Sequence, residues 1–195
     1  MTLSDPPLTD AEVKRRLPTL ALIADDELRA DTRSLSRFAP AYFWTRAGST
    51  AGYHNAHEHG LWAHTLKLST VIERLADSYV ERGLIRESDI DRAHAAAILH
   101  DQRKAGPAGG DDQTESDHGL QMATGVRQHV GDEVVARCVA SHMGPWYDGP
   151  EPTSHVAELV HIADMMASDD NATLAIQEPL PDELREIGFE AVDMR

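Results

Sequence analysis

His100 and Asp101 stand side by side in AHAAAILHDQRK, and such a doublet offers one nitrogen and one carboxylate donor to a cation. Neighbours in mid-helix diverge by about 100°, so both reach one ion most easily where the helix is ending, a condition that the breaker run from Gly106 meets. The small apolar residues 95–99 just upstream mark a buried helix that would fix the pair. Asp164 lies inside LVHIADMMA, where an ionised carboxylate on a buried stripe is costly unless paired or metal-bound. An arginine partner, or the cap of a neighbouring helix, would serve it as well. His64, in GLWAHTLKL, adjoins an apolar stripe and reads either as a ligand or as a hydrogen-bonded core histidine.

The elements that must position these side chains read as helices. Thr9 with Glu12 forms a capping box for a helix that Pro18 closes, and a second helical stretch follows from about Leu20 to Arg37. Residues 38–60 lose periodicity and gather aromatics and histidines in a loop. From Leu61 to Arg82, apolar residues at Leu61, Leu68, Val71, Ile72, Leu75 and Tyr79 recur at helical spacing, and Gly83 supplies the stop. Ser88, with Asp91 three residues on, opens the helix that ends in the His-Asp doublet. Ser116 and Asp132 are expected to cap two more helices, residues 155–167 form another, and Pro181 begins the last.

Composition sets the bounds. A chain of 195 residues with few aromatics (5%) and Ala-rich stretches between short Gly/Pro/Asp breaks points to an all-α, single-domain helical bundle. Its expected divisions are N-terminal helices over 1–37, a core over 50–170 that carries the candidate ligands, and a C-terminal helix over 175–195. No apolar run approaches the roughly 20 residues that span a bilayer, and the N-terminus has no secretory pattern, so no membrane contact and a cytoplasmic location are expected. Cys138 is the only cysteine, which leaves histidine and carboxylate for metal chemistry. The net charge of −15, with lysine only at positions 14, 67 and 104, resembles the acidic surfaces of proteins from salt-loving organisms and opposes binding of long polyanions.

Taken in order, GLWAHTL, LHDQRK and VHIADMMAS resemble the HD-domain superfamily of helical, metal-dependent phosphohydrolases. The resemblance implies that His64, His100, Asp101 and Asp164 ligate a metal. DHGLQMATG and VASHMGPW are similar to the segments around two extra histidines of binuclear HD enzymes, which implies His118 and His142 as ligands of a second ion and Asp101 as the bridge. His118 also reads as a surface residue at a helix start, and His142 as a core histidine. Lys104 occupies the HDxxK position, where an ammonium meets phosphate, although Gln102 and Arg103 depart from the apolar residue and glycine common there. Arg103 is then a second candidate phosphate contact. The stretch AGSTAGYHNAHEHGLWAHT also resembles HD proteins associated with phages and archaea, which nominates Tyr53 and His54 for the substrate side and leaves His57 and His59 as loop histidines.

The implied chemistry is hydrolysis of a phosphoester or phosphoanhydride, in a nucleotide, by metal-activated water, with Asp101 and Lys104 as the catalytic pair. Mixed His and carboxylate donors suit Mn²⁺, Fe, Co²⁺, Zn²⁺ or Mg²⁺. Two alternatives stand beside this reading: an HD phosphodiesterase of the 3′-to-5′ exoribonuclease type, acting on short single-stranded nucleic acid, and a non-catalytic nucleotide-sensing module.

Overall fold

The capping box at Thr9 forms: its hydroxyl accepts the Glu12 amide at 3.3 Å and its own amide reaches the Glu12 carboxylate at 2.7 Å. It opens α1 (Asp10–Arg16), in a computed structural model that describes residues 7–49, 55–107, 109–110, 114–146, 149–169 and 176–192. Pro18 ends α1 and starts a 3-10 turn, Pro18–Leu22. The single stretch expected from Leu20 to Arg37 is thus divided, because Asp25 caps a separate α2 (Asp26–Ser36) by accepting the Glu27 and Leu28 amides at 3.0 Å. Asp91, expected to support the start of the doublet's helix, instead accepts the Ala24 and Asp25 amides and ties that corner down.

The aperiodic 38–60 segment contains α3 (Ala41–Thr45), which is too short to show a helical period and buries Phe43 and Trp44. Next come α4 (Gly60–Glu81) and α5 (Glu87–Leu99). The cap of α5 is Arg86, whose amide donates to Asp89, so Ser88 is not its start. Likewise Asp117, not Ser116, precedes α6 (His118–His129), whereas Asp132 caps α7 (Glu133–Ser141) through the Val134 and Val135 amides. A 3-10 turn, Gly144–Trp146, leads to α8 (His155–Ala167), capped by Ser154. Among the described residues of the expected C-terminal helix, only α9 (Asp182–Glu186) is helical; β1 (Ile176–Gln177) and β2 (Ala191–Val192) flank it and pair in parallel.

Among the described residues the fold is all-α apart from that two-residue pairing. Its central rod is α5, which α2, α4, α7 and α8 all touch. Ala93, Ala95, Ala96 and Ala97 are fully buried, and their small side chains let the surrounding helices come close to the rod that ends at the doublet. Among the described residues no helix is long and apolar enough to cross a membrane.

Candidate metal centre

Five helices deliver six ionisable side chains to one point. His64 comes from the second turn of α4, and His100 is the C-cap of α5 with Asp101 just beyond it. His118 is the first residue of α6, His142 the C-cap of α7, and Asp164 lies within α8. Four of the six therefore sit at helix ends, where the backbone can turn a side chain inward out of the helical phase. All six are at most 2% exposed.

The two chain neighbours of the doublet do face one point. Beyond Leu99 the backbone continues as tight turns, with Gln102 bonding back to Leu99 and Lys104 to Asp101. His100 Nε2 lies 3.3 Å from His64 Nε2 and 3.5 Å from Asp101 Oδ2, and His64 Nε2 lies 2.8 Å from Asp164 Oδ1. The other Asp101 oxygen faces the opposite way, 3.1 Å from His118 Nε2 and 3.4 Å from His142 Nε2. Three overlapping sets are close enough to share an ion: His64/His100/Asp101, His100/His142/Asp164 and Asp101/His118/His142. Asp101 belongs to two of them through different oxygens.

The protonation pattern explains what such a cluster is suited to hold. His100, His118 and His142 each place Nδ1 2.7 Å from a backbone carbonyl, of Ala97, Glu115 and Val139 respectively. A carbonyl cannot donate, so each Nδ1 carries the proton, and in the neutral ring Nε2 turns a lone pair inward. The His118 and His142 nitrogens face each other at 3.1 Å. Asp164 Oδ2 is buried without a hydrogen-bond partner among the described residues. An enclosure lined by lone pairs and carboxylate oxygens is satisfied by a cation or by added protons.

The electrostatics follow. Burial drives the His100 pKa down to about 4 against the attraction of Asp101 and Asp164, which keeps this ring neutral. Burial acts the same way on His142, but hydrogen bonding to Asp101 and the charges of Asp101 and Asp164 outweigh it and raise its pKa. For Asp101, burial favours the protonated form; the Lys104 ammonium and the imidazoles packed around the carboxylate prevail and hold it well below its usual range. Asp164 is lowered too, as the His64 hydrogen bond and the nearby histidines overcome its burial.

Lys104 joins the cluster: its ammonium donates to Asp101 Oδ2 at 2.7 Å. Arg103 does not, because its guanidinium lies against Gly125, about two turns along α6 from His118. Tyr53 and His54 lie outside the described residues. His57 and His59 are loop histidines here. His57 Nδ1 meets the Glu58 carbonyl, and His59, left-handed at φ 60°, precedes α4 with its Nδ1 on the Trp44 carbonyl.

Several supporting residues were not foreseen. Tyr42 of α3 accepts the Ala105 amide at 3.1 Å and donates to the Gly106 carbonyl at 2.8 Å, which clamps the turn carrying Lys104. Burial raises its pKa to about 12, so the hydroxyl remains a donor. Gln102, which departs from the HD pattern, is buried and donates to Ser36 Oγ and the Ile98 carbonyl, anchoring the doublet to α2. His161 places Nδ1 2.6 Å from the His142 carbonyl. Gly119 has no side chain because a Cβ would sit 3.0 Å from the Val139 carbonyl and 3.2 Å from the His142 ring. His161 lies inside VHIADMMAS, Gln102 inside LHDQRK and Gly119 inside DHGLQMATG, but their contacts are not local: Tyr42 and Gln102 act on groups some 60 residues away along the chain.

With known proteins, two comparisons are silent and one is positive. A family model described as "HD domain" matches residues 61–169, more than half of the chain. Neither the curated proteins nor the solved structures give a match.

Proposed function

We propose, from the premise that this chain belongs to the HD-domain family of metal-dependent phosphohydrolases, that it hydrolyses a phosphoester or phosphoanhydride bond in a nucleotide. The observation that carries the proposal is the convergence of His64, His100, Asp101, His118, His142 and Asp164, with three Nδ1 protons turned outward and Lys104 on the shared carboxylate. His64, His100, Asp101 and Asp164 would hold one divalent ion, and Asp101, His118 and His142 a second. A divalent ion held there supplies Lewis acidity and a water that ionises near neutral pH.

The protein's own contributions are positional and electrostatic. The carbonyls of Ala97, Glu115 and Val139 fix the three imidazoles in one tautomer and orientation. Asp101, with its oxygens turned to different histidines, is the group that joins the two halves and accepts a hydrogen bond from water. Lys104 balances that carboxylate and presents positive charge where the phosphoryl oxygens gather negative charge during displacement. The retention of all six candidate ligands favours turnover over a sensing role, and the charge of −15 favours a small phosphorylated ligand over a long RNA.

A panel of nucleoside monophosphates, dinucleoside polyphosphates and single-stranded RNA, assayed with Mn²⁺, Co²⁺ or Mg²⁺ added to stripped protein, tests the proposal. Metal-dependent release of phosphate or nucleotide from the small substrates is expected, with none from the His100→Ala/Asp101→Ala double variant. Turnover by that variant without metal would overturn it, and preferential degradation of RNA would move the substrate to the exoribonuclease type.

A further inference from the structure

We infer that the corner formed by α1, the turn Pro18–Leu22 and α2 is a second binding site, for a small organic oxyanion: a phosphoryl or carboxylate group carried on an apolar body. None of its residues belongs to the metal centre, and all precede the matched region, residues 61–169. Recognition at this corner does not depend on the proposed hydrolysis.

The N-terminal helices differ in charge from the rest of the chain. Residues 7–37 contain six Lys/Arg and six Asp/Glu, whereas the whole chain has 18 and 33. Three of those six cations, Lys14, Arg29 and Arg33, line one cavity of about 280 Å³. The other lining residues are apolar, with Leu17 and Leu20 buried in the core behind it and Pro18 between them in sequence. No carboxylate lines the cavity among the described residues. Cationic groups over an apolar wall suit a ligand with a negative end and a hydrocarbon end.

Like charges gathered at one cavity repel, and the fold offsets that only in part. Arg29 is held in place: Nη1 donates to the Ile23 carbonyl at 2.7 Å, and Nη2 to Asp26, whose side chain is 89% exposed. Arg33 Nε lies 3.0 Å from Asp10 Oδ2 but out of line with it, and is buried without a hydrogen-bond partner among the described residues. Asp10 is shared with Arg37, at 3.6 Å. Lys14 makes no hydrogen bond or ion pair among the described residues, whereas Lys67 donates to Asn55 and Lys104 to Asp101. Positive charge thus remains in excess at this corner of a strongly acidic protein, and an oxyanion would neutralise it. Two guanidinium groups set on α2 and an unengaged ammonium on α1 offer N–H donors to several oxygens at once. The volume, equal to about nine waters at roughly 30 Å³ each, fits a small molecule and excludes a polynucleotide.

The test is calorimetric titration of the full-length, metal-loaded protein at low salt with phenylphosphonate, benzoate and inorganic phosphate. The same titrations on the His100→Ala/Asp101→Ala variant separate this corner from the metal centre. An aromatic probe is expected to bind in both backgrounds, and inorganic phosphate more weakly, since it brings no carbon to the Leu17 and Leu20 side. The tighter of the two aromatic probes tells a phosphoryl from a carboxylate ligand. Lys14→Gln/Arg33→Gln should weaken this binding about tenfold in either background. Lys14→Gln alone, at an exposed side chain, should give part of that loss without disturbing the packing. Asp26→Asn, which removes a competing carboxylate from Arg29, should tighten it about threefold, a gain that misfolding cannot produce. Binding that is lost in the His100→Ala/Asp101→Ala variant but unchanged in Lys14→Gln/Arg33→Gln lies at the metal centre. That result overturns the corner site and leaves the phosphohydrolase reading standing. Absence of binding by all three probes overturns the corner site as well.

Discussion

His100 and His142 share a cluster but differ in how tightly each holds a proton. His100, with its pKa pushed down to about 4, is neutral throughout the physiological range, whereas His142 is raised above its ordinary value and keeps its proton longer as pH increases. A metal entering on the His118–His142 side must therefore displace a proton wherever His142 is still protonated, and one entering between His64 and His100 need not displace one from His100. Between pH 8 and 6 the affinity of the His118–His142 side should fall by about tenfold per unit once His142 is protonated, while the other side changes less. Calorimetric titration with Co²⁺ at the two pH values checks this, and a parallel loss at both sides would count against it. Lys104 gives a second prediction at this scale. Lys104→Ala removes the cation on Asp101, so kcat should drop by about a hundredfold with metal content retained, and a change confined to KM would show that the ammonium only binds substrate.

Among the elements, α3 has an effect out of proportion to its five residues. Through Tyr42 it holds Ala105 and Gly106, and through Arg46 it reaches the Gly110 carbonyl, so both ends of the turn after Lys104 are tied to a helix outside the matched family region. Tyr42→Phe leaves the ring but strips two backbone groups of a partner, which should lower stability by ~1–3 kcal/mol and reduce kcat with metal content unchanged. Chemical denaturation and metal analysis on the same preparation separate those effects. Gly119→Ala acts on the α6–α7 contact: the added methyl meets the Val139 carbonyl and the His142 ring, so His118 and His142 are pushed apart. Loss of metal from that side, with the His64–His100 side still loaded, is the expected result.

For the molecule as a whole, the net charge of −15 implies self-repulsion that salt screens. The melting temperature should rise as NaCl is increased from low concentration to about 1 M, where the Debye length is roughly 3 Å; a fall would show that attractive surface pairs dominate instead. The same scale shows what could be read from the sequence. The α4 and α8 helices were legible because long periodic stripes and capping residues act locally, and so was the order in which His64, the doublet and Asp164 occur. The start of α5 was not, since Asp91 is occupied by a corner some 66 residues away. Neither Tyr42 nor Gln102 could be recognised as supports, for each acts on a backbone or hydroxyl that only the packed fold brings near. The C-terminal segment misled because Pro181 is a valid helix start, yet the helix lasts five residues before the chain returns to pair with β1.

The most direct measurement of the central claim is the metal content of stripped protein after re-equilibration with Mn²⁺ or Co²⁺, by elemental analysis, for the wild type and His118→Ala. The cluster predicts about two ions per chain in the wild type and about one in the variant, from the two sides on which Asp101 presents its oxygens. No bound metal in the wild type would contradict the assignment of this cluster as a metal centre, and with it the proposed hydrolysis.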